Sequence, residues 1–189
     1  MTQRSAKLTL AVLVLVCTLP VAASYFAYYV WRPQGQVNYG ELIPPAPLPY
    51  AVFPGMAGQP PFGREAVDGR WTLVYAGSGA CGADCERALY AVRQSRLAQG
   101  KEMTRVERLW LVTDDVDPPA ALLGRHDGLR VARAGSPWLV RFPGAARGVH
   151  VFLVDPLGNV MMRFPVPTDI KGVIKDLERL LKYSGLGRG

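Results

Sequence analysis

The feature that most restricts this chain is a run of 24 residues, Leu8 to Trp31, without a charged side chain. As a helix rising about 1.5 Å per residue, it crosses a hydrocarbon core of roughly 30 Å with some tilt. Arg4 and Lys7 precede the run, and after Arg32 there is no basic residue until Arg64. That bias places the N-terminus in the cytoplasm and the bulk of the chain outside it. A cleaved signal peptide competes, because Val21, Ala22 and Ala23 before Ser24 form a small-residue cleavage pattern. The apolar run nevertheless continues through Tyr25, Phe26, Tyr28, Tyr29 and Trp31, an aromatic belt of the kind that holds a helix at an interface, which favours an uncleaved anchor. Pro20 is tolerated in such a span. Cys17, preceded by Leu15 and Val16, reads as a small hydrophobe and not as a lipidation site.

The 189 residues leave room for one ordinary domain beyond the anchor. Twenty-two Lys and Arg against 15 Asp and Glu give a net charge of +7. The basic residues are scattered, with no element interleaving arginines and aromatics, so the membrane is the expected partner and a nucleic acid is not. From Pro33 to Asp68 the chain carries eight prolines and little periodicity. It reads as an extended, partly polyproline linker, in which Asn38 to Ile43 is the piece able to pack on the domain edge. The resulting division is a cytoplasmic segment at 1–7, a transmembrane anchor at 8–31, a Pro-rich linker at 32–68, a folded domain at 69–184 and a tail at 185–189.

Within the domain, Trp71 to Ala76 is β-branched and aromatic enough for a buried strand, closed by Gly77, Ser78, Gly79 and Ala80. Glu86 to Gln99 is rich in helix formers and Gly100 stops it. Val106 to Thr113 predicts a second strand, running into the acidic turn Asp114, Asp115, Val116, Asp117, after which Pro118 opens a short helix to Gly124. Leu129 to Ala132 and Trp138 to Phe142 are strand or loop candidates. His150 to Val154 and Val160 to Phe164 flank Asp155 to Asn159 as a β-hairpin. Asp169 to Tyr183 places Ile170, Val173, Ile174, Leu177, Leu180 and Leu181 at helical spacing, with Thr168 as the expected cap. This order describes an α/β domain, a central sheet with a helix on each face.

With Cys81 and Cys85 at the first strand-to-helix turn and a hairpin plus helix at the end, the domain resembles the thioredoxin superfamily, and within it the Sco/SenC proteins. The resemblance covers about Gly69 to Tyr183. Besides the anchor it rests on the strand Gly69 to Tyr75, the Cys-x-x-x-Cys pair, the acidic turn Asp114 to Pro119, and the hairpin Leu153-Val154-Asp155-Pro156-Leu157-Gly158. Tyr39 to Ile43 also resembles small membrane proteins associated with oxidase assembly in proteobacteria. The resemblance implies a thioredoxin-like domain held by an inner-membrane anchor in the periplasm, and a metallochaperone or assembly factor more than a catalyst. The implied role is copper delivery to, or thiol maintenance of, the copper centre of a haem-copper oxidase, with an oxidase subunit or other assembly factors as partners. The family has proline after each cysteine, where this chain has Gly82 and Glu86. Its metal-binding histidine stands further upstream of the hairpin aspartate than His150 does, at a spacing held here by Arg147.

Four residues apart on a helical turn, Cys81 and Cys85 share a face, so their sulfurs could grip one soft ion or join as a disulfide. A helix N-terminus favours the thiolate form; Asp84 opposes this and Arg87 supports it. Two thiolates select Cu(I) or Zn(II), and one imidazole completes a trigonal copper site. His150, at the start of a strand expected beside the cysteine turn, is the candidate third ligand; its alternative is a strand histidine satisfied locally. His126 reads as a loop histidine. Met161 and Met162 read as a core and an outward strand residue respectively, not as thioether ligands. Two further readings stay open: a dithiol-disulfide oxidoreductase, and a scaffold with a structural disulfide. Efficient general exchange wants Cys-x-x-Cys and a proline facing the pair, where this chain has three intervening residues and Val149-His150.

Overall fold

The apolar run forms helix α1, Gln3–Tyr29, in a computed structural model that describes residues 3–29 and 38–185. Its span Lys7–Tyr29 contains an 18-residue window of mean hydropathy 2.2 and is long and apolar enough to cross a membrane. Thr18 donates its hydroxyl to the Val14 carbonyl at 2.9 Å, so the helix satisfies its own polar side chain. Trp31 and Arg32, the outer end of the expected anchor and the start of the expected linker, lie outside the described residues, as does the tail beyond Gly185.

The second unit begins at Asn38. Its strands and helices run β1 (Glu41–Pro47), β2 (Val52–Phe53), β3 (Phe62–Gly63), β4 (Trp71–Gly77), α2 (Ala83–Leu97), β5 (Val106–Val112), α3 (Ala120–Leu123), β6 (Arg130–Arg133), α4 (Ser136–Leu139), β7 (His150–Val154), β8 (Asn159–Pro165) and α5 (Ile170–Tyr183). Six of the strands make one mixed sheet in the order β1-β8-β7-β4-β5-β6; β4, β5 and β6 are parallel and the other pairs antiparallel. β4 is central and buried along its whole length, which is why it reads as a continuous apolar run and not as an alternation.

Two apolar layers cover the sheet. On one face Leu73, Tyr75, Trp110, Val151 and Leu153 pack with Leu89 and Val92 of α2 and with Val173, Leu177 and Leu181 of α5. On the other, Val74, Leu109, Phe152 and Val154 meet Trp138, Phe142, Phe53 and Phe62. Both long helices therefore share one face. The opposite face carries short α4 and the segment before β4, in place of the long helix the sequence places there.

The linker assignment of 32–68 is corrected over residues 38–68. β1 pairs with β8, β2 pairs with β3, and Leu48, Phe53, Phe62 and Val67 are buried in the second layer. Proline is compatible with this because β1 is an edge strand, where a missing donor can face away from the sheet. Arg64 bridges the Leu48 and Leu157 carbonyls and holds Asp68 at 2.6 Å, sealing the segment to the hairpin. The cap of α5 is Asp169, whose carboxylate accepts from the Lys171 amide; Thr168 donates instead to the Pro165 carbonyl. α2 begins at Ala83, earlier than its composition suggests, so Cys85 stands within its first turn.

Candidate functional site

β4 ends at Gly77, and the chain turns through Ser78, Gly79 and Ala80 into α2. The turn is pinned from the β5 side. Asp114 accepts from the amides of Gly79 at 3.0 Å and Val116 at 3.2 Å. The Ser78 hydroxyl, first, and the Gly79 amide hold its carboxyl below the usual carboxylate range. Gly79 leaves no room for a side chain, since a Cβ there would lie 1.8 Å from the Val116 carbonyl oxygen.

Cys81 follows with φ of 44°, a left-handed conformation uncommon outside glycine. Its Cα lies 5.1 Å from that of Cys85, and the two are joined as a disulfide. Both residues are largely buried, 8% and 5% exposed, against Tyr75, Leu89 and Val151. Cys81 stands just before α2 and Cys85 within its first turn, and a positive helix end favours thiolate once the bond is reduced. Asp84 is paired with Arg87, which tempers its opposition to that charge.

The disulfide borders a cavity of about 360 Å³ lined also by Tyr75, Arg147, Val149 and Val166. Burial, and secondarily the Asp84 carboxylate, raise the Tyr75 phenol above its ordinary value. Arg147 and Val149 come from the loop before β7, where Gly148 adopts φ of 63° and a Cβ would stand 2.9 Å from the Tyr75 hydroxyl. Among the described residues, Arg147 makes no ion pair.

His150 is not brought to the cysteines. Side chains alternate along β7: Val151 and Leu153 pack in the layer that contains Cys81 and Cys85, while Phe152 and Val154 belong to the other. His150 keeps company with Phe152, ring centroids 5.8 Å apart, beside the Glu41 and Arg163 pair. Burial, then the positive charge of Arg163, hold its pKa below the ordinary histidine value. The expected third ligand therefore faces away, and no group of three or more His, Cys, Asp or Glu able to hold a metal exists among the described residues. The donor set does not fit a Cys₂His copper centre. His126 is buried, at 7% exposure, and not the solvated loop residue expected; burial and neighbouring Arg108 lower its pKa. Met162 is in the core and Met161 half-buried, the reverse of the expected assignment. Arg147 is the cavity residue that composition did not single out as functional; the one signal was its spacing before Asp155.

Residues 71–184 match the model of a family described as a transmembrane-like, thioredoxin-like, C-terminal domain. No curated protein sequence matches the chain. Among solved structures, apo Sco1 from Thermus thermophilus superposes with a TM-score of 0.60 at 20% identity, covering 78% of this chain and 99% of that one. Copper-bound yeast Sco1 gives 0.58 at 18% identity, with 74% and 96% covered. BsSco, described as a Sco-family cytochrome c oxidase assembly protein with a disulfide switch, gives 0.54 at 13% identity, with 79% and 99% covered. These likenesses establish a Sco-like, thioredoxin-like fold.

Proposed function

The chain belongs to the family of transmembrane-like, thioredoxin-like C-terminal domains, and from that premise we propose that it is a single-pass membrane protein that maintains thiols during assembly of a haem-copper oxidase. Its N-terminus lies in the cytoplasm, α1 in the inner membrane and the thioredoxin-like domain in the periplasm. The observation that carries this reading is the Cys81–Cys85 disulfide at the edge of the cavity, with His150 on the opposite sheet face. The redox pair is complete in itself, whereas a three-ligand copper centre is not. That BsSco is described by both a disulfide switch and oxidase assembly supports the same role here.

In the reduced state one thiolate attacks a partner's disulfide, the second resolves the mixed disulfide, and the partner leaves as a dithiol. Two electrons and two protons pass from the chain to the partner. The experiment is direct: the reduced full-length chain carrying Cys17→Ser, which leaves Cys81 and Cys85 as its thiols, is mixed in detergent with a small neutral disulfide such as dithiodipyridine. One Cys81–Cys85 disulfide should form per disulfide reduced, and a Cys85→Ser variant should stall as the mixed species on Cys81. A pair that stays oxidised under strong reductant, or does not react when reduced, makes the disulfide structural.

Copper delivery is a second reading, favoured by the 5.1 Å between the two Cα atoms. Two sulfurs so placed reach one soft ion from both sides and suit Cu(I), carried as cargo without an imidazole.

A further inference from the structure

The cavity beside the cysteines has two characters. Val149, Val166, Ala80, Ala83 and Ala146 make it apolar, and Val149 is 40% exposed. Arg147 makes its rim positive. The other guanidinium there, on Arg87, pairs with the Asp84 carboxylate that also lines the cavity, whereas Arg147 is exposed and makes no ion pair among the described residues. Gly148 passes so close to the Tyr75 hydroxyl that the chain cannot widen there, which fixes Arg147 and Val149 as successive features of one wall. The opposite wall is the cysteine turn.

Resting on the thiol-exchange reading above, we infer that this cavity receives an extended, acidic, cysteine-bearing peptide segment of the partner, with a carboxylate on Arg147 and an apolar side chain against Val149 and Val166. Residues 38–185 carry 18 Lys and Arg against 15 Asp and Glu, a small excess that acts in the same direction. Once the segment is seated, the thiolate of Cys81, the less buried of the pair, attacks the nearer sulfur of the partner's disulfide. The partner's S–S bond breaks and its departing sulfur takes a proton. The Cys85 thiolate then attacks Cys81, the mixed S–S bond breaks, and the partner's second sulfur leaves and is protonated. The partner gains two electrons, and the chain ends as the Cys81–Cys85 disulfide.

The test uses the reduced full-length Cys17→Ser chain in detergent and three disulfide-closed peptides of one scaffold, with cysteines flanked by glutamate, glutamine or lysine. A rim charge acts chiefly on the encounter rate and is screened by salt. The glutamate peptide should react fastest, on the order of tenfold faster than the lysine peptide at low ionic strength, with the gap closing in high salt. Arg147→Glu should invert the order, and Arg147→Gln should level it. The rate with dithiodipyridine should stay within about twofold throughout, because that probe has no charge for Arg147 to meet. An equal fall for all three peptides and dithiodipyridine would assign Arg147 to the thiolate and overturn the proposal. So would an unchanged order in Arg147→Glu. Failure of wild type with dithiodipyridine itself removes the exchange reading, so the two failures are told apart.

Discussion

His150 and Val151 are neighbours on β7 that serve opposite faces of the sheet: Val151 packs with Cys81 and Cys85, and His150 lies against Phe152. A half-turn of the strand thus separates the histidine from the thiols. If the reduced protein carries Cu(I), the ion is held by two sulfurs, and His150→Ala should leave both the stoichiometry and the affinity unchanged within about twofold. Cys81→Ser or Cys85→Ser should abolish uptake. Titration against a competing chelator reads both outcomes, and a loss of affinity in His150→Ala would bring the histidine back to the site.

The two histidines make the fold sensitive to mild acid. Both have folded pKa values below their ordinary 6.5, each chiefly through burial and then nearby arginine charge. Below that value the unfolded chain binds more protons than the folded one, so the contribution is complete above pH 6.5 and declines as pH falls through the window beneath it. His126, the more buried, should dominate. Urea unfolding of the unit beginning at Asn38 should give a stability that falls as pH drops below 6.5, and His126→Gln should flatten that slope more than His150→Gln does. Equal slopes in all three proteins would place the acid sensitivity elsewhere.

How the cysteine turn is held gives a third expectation. Gly79 sits under the Val116 carbonyl with no space for a methyl group, and its amide is one of the donors to Asp114. Gly79→Ala must push the Ser78 to Ala80 turn away from the 114–116 loop and shift Cys81 with it. Its reaction with dithiodipyridine should slow by on the order of tenfold, a 1 Å misplacement being costly in such chemistry. Gly82→Ala is the control, because a Cβ at Gly82 meets nothing. Equal rates for the two variants would show that the turn does not position the thiols.

The sequence carries some of these features openly and hides others for physical reasons. The pair Cys81 and Cys85 is legible because two cysteines four residues apart at a strand-to-helix turn lie within reach of each other. Cys81 nevertheless meets Cys85 from a left-handed turn ahead of α2 and not from the helical face the spacing suggests. β4, the hairpin and α5 are legible because a packed face imposes its period on the chain. Period two also ties His150 to Phe152. It does not say which face the cysteines occupy, since that depends on how α2 lies across β4 and β7. The opening segment is obscured differently: Leu48, Phe53, Phe62 and Val67 are buried one at a time between prolines, without a repeat to betray them. The α5 cap shows a smaller version of this problem, because Thr168 and Asp169 are both competent caps and only the backbone path selects Asp169.

The same segment sets where the folded unit must begin. Gly40 donates its amide to the buried carboxylate of Asp176 at 2.8 Å, and the Tyr39 hydroxyl accepts from the Asp169 amide, so residues 38–40 are fastened to α5. Further along, Phe53 and Phe62 meet Trp138 edge to face at 5.3 and 5.8 Å. Burying each of Leu48, Phe53, Phe62 and Val67 stabilises by about 1.5–3 kcal/mol, and the sum is on the order of a whole domain's stability. A chain starting at Gly69, the boundary the sequence suggests, should therefore expose Trp138 and Phe142 and fail to show a cooperative unfolding transition. A chain starting at Asn38 should unfold cooperatively, and Asp176→Ala in that background should cost about 1–3 kcal/mol by orphaning the Gly40 amide. Near-ultraviolet circular dichroism and urea titration of the three proteins decide it. Cooperative unfolding of the Gly69 chain at the same midpoint as the Asn38 chain would return residues 38–68 to the status of a linker.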